Sequence, residues 1–450
     1  MDIKKIAARC QSMDFHSLSQ EVIETAKKCL LDFLGAAFAG RQTQAADIAM
    51  RSSKWFGTDN QCTIIGFPIL MSPVSAAFVN GTLGSALDVD DGHRGAVGHP
   101  GAMVFPAALS VGEVRQVTGK EFLTAVVIGY ELSIRCGVVM NSIHEKRFYG
   151  SGGWAVFGSA AAAARLLGLK EKSLLNALTI GEVYGPTAQC GKSIAYGAMT
   201  KESIGWGAAT GVFAAFLAQE GFTGPEEILL DEQDYLPKIK EILCNFGEKF
   251  ENLNIYFKQF TSCRWSHSPI SAALQIREKY HPNLQNVKEI RIETFKKALT
   301  LNHSFPKSSE AAQYSIPFTV ANALVFGKVG PKQVAEENLK NLDVRKIIGK
   351  IKMVHAIDLE PLFPAARPAR VIMEMADGLS FREEVHLVKG DPENPLDWDD
   401  LIFKFNEFTG PYLDKDKRME IIKIVRSLDD LKDIRILSGL LRVGSPIFSV

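Results

Sequence analysis

The sequence predicts a mainly α protein carrying a smaller α+β second domain. Apolar residues recur at helical spacing from the start to about residue 253, runs after Lys258 alternate like half-buried strands, and the chain beyond Asp391 returns to helical periodicity. The expected organisation is therefore a large helical domain over 1–255, completed by 395–450, with an α/β domain over 256–394 between them. A chain of 450 residues suits two such domains.

In chain order, Val22, Ala26, Cys29, Leu30 and Phe33 form the first apolar helical face, with Gly35 as its end. Glu121–Val139 predicts a second helix. Gly153–Leu167 predicts an Ala-rich helix closed by Gly168, with small side chains that let neighbouring helices approach closely. Leu174–Ile180 and Gly205–Ala218 continue the pattern up to Gly221 and Gly224. Val287–Glu293, Ile351–Ala356 and Ala369–Met375 then alternate, and Asp377-Gly378 before SFREEVHLV signals a hairpin. Helices are expected between these strands at Pro269–Glu278 and Tyr314–Phe326. PENPLDWDDLIFKFNEF starts a further helix, and the tail is expected to dock back on the first domain.

Composition excludes several classes of function. Fifty-one Lys plus Arg balance fifty-one Asp plus Glu, so no overall field holds nucleic acid or an anionic membrane, and any anion must be met by a local basic cluster. The seven Cys are never in a CxxC pair, which predicts reduced thiols in a cytoplasmic protein and neither a disulfide framework nor a zinc cage. The first thirty residues lack the apolar core of a secretory signal. Trp154–Leu169 is interrupted by Arg165 and falls short of the roughly 20 residues of a bilayer span, so it reads as a buried core helix.

Four stretches carry residues suited to chemistry. Asp88-Val-Asp-Asp91-Gly-His93-Arg94, followed by Gly98-His99, gathers carboxylates, histidines and an arginine between glycines; its spacing is neither HExxH nor an EF-hand loop, so no metal is expected. Tyr149-Gly-Ser151-Gly-Gly153 precedes the Ala-rich helix, where free backbone N–H groups could meet a carboxylate or Ser151 could simply cap the helix. Lys201 closes the turn GAMTK before another helix, where desolvation could fit it as a base or solvent could leave it an ordinary lysine. Lys258, Arg264 and His267 stand at the junction of the two domains and suit capture of a dicarboxylate, while Cys263 and His267 read better as packing than as a nucleophile pair.

Together these stretches resemble the MmgE/PrpD family. LLDFLGAAFAG, NGTLGSALDVDDGH, GHPGAMVFPAALSVGE, VIGYELSIRCG, WAVFGSAAAAARLLGL, LAQEGFTGP, SIPFTVANAL and DPENPLDWDDLIFKF support the likeness in family order from about residue 28 to 405. The resemblance implies a helical domain made from both chain ends, a smaller α/β lid, a homodimer, a small di- or tricarboxylate substrate in the cleft between domains, and no cofactor. It implies a site built from Asp88, His99 and Lys201 as catalytic residues with Lys258 and His267 at the hinge binding substrate; the residues themselves add Arg94 and Ser151 as further substrate-binding candidates.

The family contains 2-methylcitrate dehydratases, cis-aconitate decarboxylases and iminodisuccinate epimerase. Where its decarboxylases and dehydratases show Gly-Phe-His, this chain has Arg147-Phe148-Tyr149, and where many show SIPY, it has SIPF with Phe318. The tyrosine is similar to the epimerase pattern. The expectation is thus cofactor-independent epimerisation with Tyr149 and Lys201 as the proton-transfer pair, ahead of dehydration or decarboxylation, with a non-catalytic binding protein as the remote alternative.

Overall fold

The computed structural model describes residues 3–57, 59–143, 149–226 and 245–444. Its first half is helical because local capping and apolar periodicity agree there. Ser19 caps Gln20–Gly40 by accepting from the Val22 N–H, and Thr118 with Glu121 forms a complete capping box at the start of Gly119–Met140. Gly35 does not end the first helix: it lies inside it, with its open side against Phe405 and Phe408 of the C-terminal segment. The glycine serves a close approach there, not a helix stop.

The Ala-rich segment is broken into Ser151–Trp154 and Val156–Leu166, and Gly168 follows it at φ +73. A Cβ at Gly158 would collide with Ser133 Oγ and Gly129 O, so the contact of this helix with Gly119–Met140 depends on that glycine. Gly101–Arg115 packs on both helices and Ile204–Gln219 on the Ala-rich one, and Pro73–Ser85 packs in turn on Gly101–Arg115 and Ile204–Gln219. Among the described residues only Gly119–Met140 is long and apolar enough to cross a membrane, and 94% of its most apolar stretch is buried in the core.

Strands in this half are minor: β1 (Cys62–Thr63) pairs with β2 (Leu70–Met71), and β3 (Gly92–His93) pairs with β4 (Ile255–Tyr256). The second pairing positions the site, because it fixes the Asp88–His99 loop beside the segment that carries Lys258.

Beyond it, β5 (Val287–Thr294), β6 (Ile351–His355), β7 (Ala369–Met375) and β8 (Ser380–Val385) form one sheet in the order β6-β5-β7-β8. β5 and β6 are parallel, while β7 is antiparallel to both β5 and β8. β7 buries every second residue, as alternation requires of a sheet covered on one face. The helix His267–Tyr280 packs on β7 and β8 and on Ile316–Phe326.

The segment Trp398–Thr409, started by an Asp397–Asp400 capping box, packs on Gln20–Gly40. Lys404 Nζ bonds Asp32 Oδ1 at 2.6 Å and Val89 O at 2.7 Å, and Lys27 pairs with Asp429 at 2.5 Å. Both partners of the Lys404–Asp32 pair are buried, so removing either one alone would strand a buried charge.

Candidate active site

A cavity of about 570 Å³ opens where the Asp88–His99 loop, the Lys258–Trp265 segment and the sheet-bearing part meet. Asp88, His99, Lys258, Arg264, Glu202, Tyr314, His303 and Arg367 are among its lining residues. The sequence placed Asp88, His99 and Lys258 in one site, and the fold brings them into direct contact.

Asp88 is held at φ +51, a conformation that an aspartate tolerates better than most residues. This turn lets Lys258 Nζ reach both the Asp88 backbone oxygen, at 2.9 Å, and Oδ1, at 2.7 Å. His99 Nε2 lies 3.3 Å from the same Oδ1. Its Nδ1–H donates to Asp91 O at 2.6 Å and is 3.6 Å from Asp90 Oδ2. Burial and Lys258 each press the His99 pKa down, but Asp90 and Asp88 outweigh them and push it up to about 9. His99 is thus an imidazolium at neutral pH. Burial pushes the Asp88 carboxyl upward, yet Lys258, Lys201 and His99 hold it well below the carboxylate range. Lys258, for its part, resists the desolvation that would lower it through Asp88, Tyr256 and Asp90, and stays charged.

Asp88, Asp90 and His99 bring possible ligand atoms within 4.8 Å of one another. The donor set does not fit a divalent ion, however: the Lys258 ammonium already stands in the cation's place on Asp88, and His99 has turned Nδ1 to a carbonyl.

Ser151 belongs to the site, in a different role from the one expected. Its Oγ accepts from the His99 backbone N–H at 2.9 Å and donates to Glu202 Oε2 at 2.6 Å, while the Ser151 N–H donates to the same oxygen at 3.0 Å. The Glu202 backbone oxygen takes the Gly152 N–H at 2.9 Å. The anion met by this Gly-rich turn is thus the protein's own Glu202, so Ser151 orients His99 and its N–H is not free for substrate. Gly98 completes the arrangement, because a Cβ there would collide with Ser151 Oγ.

Other expectations need correction. Lys201 and Tyr149 do not line this cavity. Lys201 Nζ donates to Ser85 O at 2.6 Å and Gln313 Oε1 at 2.9 Å and lies 5.9 Å from the centre of the Tyr314 ring. Tyr149 is half-buried and bridges Gln189 through its backbone; Arg147 and Phe148 lie outside the described residues. The proton-transfer pair is therefore not assembled across this cavity. His267 is fully buried, accepts at Nδ1 from Arg264 Nη1 at 3.1 Å, and donates from Nε2 to Ser262 O at 3.3 Å. Burial, Arg264 and Lys258 push its pKa well down, so it is a neutral support for Arg264 and no cation for a carboxylate.

Arg94 is likewise engaged elsewhere, with Glu393 Oε2 at 2.6 Å, Ala365 O at 2.6 Å and Asp391 at 3.4 Å. Asp391 also pairs with Arg264 at 2.6 Å. Arg94 is a tie between segments because those acids are close in space, which spacing along the chain cannot reveal. Arg94→Ala is expected to leave KM unchanged and to cost on the order of 1 kcal/mol in urea unfolding, since exposed pairs are screened by solvent; a tenfold rise in KM would return Arg94 to the substrate.

Sequence reasoning missed Glu202, Tyr314 and the structural use of Asp391. Glu202 carried a faint signal as the neighbour of Lys201 in a turn before a helix. Cys263 lines the cavity, but burial and Asp88 push its thiol up to about 12, which removes it as a nucleophile. Phe318 is fully buried in the second core cluster, away from the cavity wall.

The MmgE/PrpD N-terminal domain profile matches residues 4–239, and the MmgE/PrpD C-terminal domain profile matches residues 260–430. Cis-aconitate decarboxylase of Homo sapiens is 28% identical over 450 aligned positions, covering 95% of this chain and 92% of that protein. Cis-aconitate decarboxylase of Aspergillus terreus is 27% identical, covering 96% of this chain and 94% of its own length. A probable 2-methylcitrate dehydratase of Saccharomyces cerevisiae is 23% identical, covering 81% and 77%. These three relatives carry the names of lyases, so the lean towards epimerisation drawn from Tyr149 gains no support from them.

Proposed function

The chain belongs to the MmgE/PrpD family, and from that premise we propose that it is a lyase acting on a small tricarboxylate, with His99 as the proton donor. The observation that carries this reading is the place of His99, 3.3 Å from Asp88 and 3.6 Å from Asp90, on the wall of a cavity also lined by Lys258, Arg264 and Arg367. Loss of water needs a base to take the proton from the neighbouring carbon, a role left to the cavity carboxylates Asp88 and Glu202, and an acid to protonate the departing hydroxyl; loss of carbon dioxide needs an acid to protonate the carbanion left behind. A fixed imidazolium meets the demand for an acid in either case.

Negative charge grows on a carboxylate next to the reacting carbon in both cases, and buried cations stabilise it without reorganising. Lys258 and Arg264 fill that role, each already oriented by an acid. In this reading 256–394 forms the lid over a body made of 1–255 and 395–450, and the substrate is held between them.

The test is a panel of di- and tricarboxylates, beginning with cis-aconitate and 2-methylcitrate, incubated in D2O with NMR scoring water loss, carbon dioxide loss and deuterium uptake separately. Loss of water or carbon dioxide from a tricarboxylate is expected. Deuterium uptake at a stereocentre with neither loss would instead establish epimerisation, and binding without any turnover would make the chain a binding protein.

A further inference from the structure

Tyr314 sits between Ser309–Gln313 and Ile316–Phe326, one helical turn before Phe318. It is 5% exposed and lines the cavity, and its hydroxyl oxygen is buried with no hydrogen-bond partner among the described residues. A buried phenol normally finds an acceptor, because leaving its O–H unbonded costs stability. Here the surroundings are polar: Asp88 and Glu202, whose carboxylates act on the phenol, line the same cavity. Tyr314 thus shares the cavity lining with Asp88, His99 and Glu202. Lys201 lies 5.9 Å from the centre of the same ring, with its ammonium bonded to Ser85 and Gln313 and not to the phenol.

We propose that Tyr314 donates its phenolic hydrogen bond to the substrate carboxylate on which charge accumulates, its missing partner being the substrate itself. The inference rests on the lyase reading, since only an anion in this cavity supplies the acceptor. Burial and the neighbouring carboxylates hold the phenol protonated across the neutral range, as a donor requires. The same arrangement separates function from folding. A hydroxyl that pairs only with substrate gives nothing to the empty protein, so deleting it should spare or raise stability while removing a donor from the reacting complex.

Tyr314→Phe keeps the ring and deletes that one atom. Turnover of the acid found active in the panel should fall about 10²-fold, the usual loss for one oriented donor to a developing anion. Tm should stay equal or rise, and calorimetric affinity for tricarballylate, a tricarboxylate with no leaving group, should change much less than turnover. Turnover within threefold of the parent would overturn the inference, and so would a fall in Tm accompanying lost activity, which would mark a packing role. The lyase reading fails separately: a parent chain that neither binds tricarballylate nor converts any panel acid overturns both, whereas a converting parent matched by the variant overturns the role of Tyr314 alone.

Discussion

Replacing Lys258 with methionine is expected to abolish turnover and to destabilise the fold by about 3–5 kcal/mol, the usual cost of stranding one partner of a buried ion pair. Lys258 is 1% exposed and spends its ammonium on the Asp88 side chain and backbone oxygen together. Removing it leaves a buried carboxylate on a residue already in a left-handed conformation, with His99 at 3.3 Å and the more distant charge of Lys201 to answer it. The loss therefore falls on the Asp88 turn as well as on the charge. Methionine keeps most of the volume, which makes the experiment a test of charge and not of a cavity.

The sign with pH follows from Asp88. Its folded pKa is depressed, so its contribution is present above the unfolded value near 4 and is lost as pH falls through the folded one. The parent should lose stability on acidification through this group, and Lys258→Met should lose less. Adding Asp88→Asn to Lys258→Met should recover much of the urea midpoint while leaving turnover absent. A single variant as stable as the parent would sink the claim that this pair holds the loop.

How much of this could be read in advance depends on whether a feature is local. β7 matched the expected Ala369–Met375 run because alternation between a buried and a solvated face is a property of seven adjacent residues. Gly168 likewise marks its helix end by local conformation, whereas Gly35 looks the same in sequence and serves a helix contact made by Phe405 and Phe408. The Asp88–His99 loop stood out as a candidate because its charged residues are dense and flanked by glycine, whereas Lys258 was singled out only by its place at the domain junction and by the family likeness.

The pairings were not legible. Four cations and several acids near the domain junction admit many partners, and the fold alone decides that Arg94 takes Glu393, Arg264 takes Asp391 and Lys258 takes Asp88. His267 looked like a cation for the same reason, since only burial beside Arg264 makes it neutral. Glu202 could not be foreseen as the anion of the Ser151 turn, because 51 positions separate them. Tyr314 was hidden more deeply, since nothing in AAQYSIPF distinguishes a core tyrosine from one facing a cavity.

His99→Gln is expected to lower turnover by about 10²- to 10⁴-fold, the range that a positioned acid or base commonly supplies. Glutamine retains an amide N–H able to reach Asp91 O, and the Ser151 contact uses the backbone, so the loop should keep its course while losing the transferable proton. The parent identifies the proton by its pH profile: with His99 charged up to about 9, kcat/KM should decline above that value as the imidazolium empties. Stability gives an independent reading with a determined sign. The folded pKa lies above the unfolded value near 6.5, so the contribution of His99 is complete below that value and lost as pH rises through about 9. Asp91, which burial pushes up to about 7, titrates in the same window but is present in both proteins. The difference in Tm between parent and His99→Gln should therefore be largest near pH 6 and shrink towards pH 10. If the variant kept activity within tenfold, or if the parent showed no decline near pH 9, the proton would have to come from another group lining the cavity, and Tyr314 would be the first to examine.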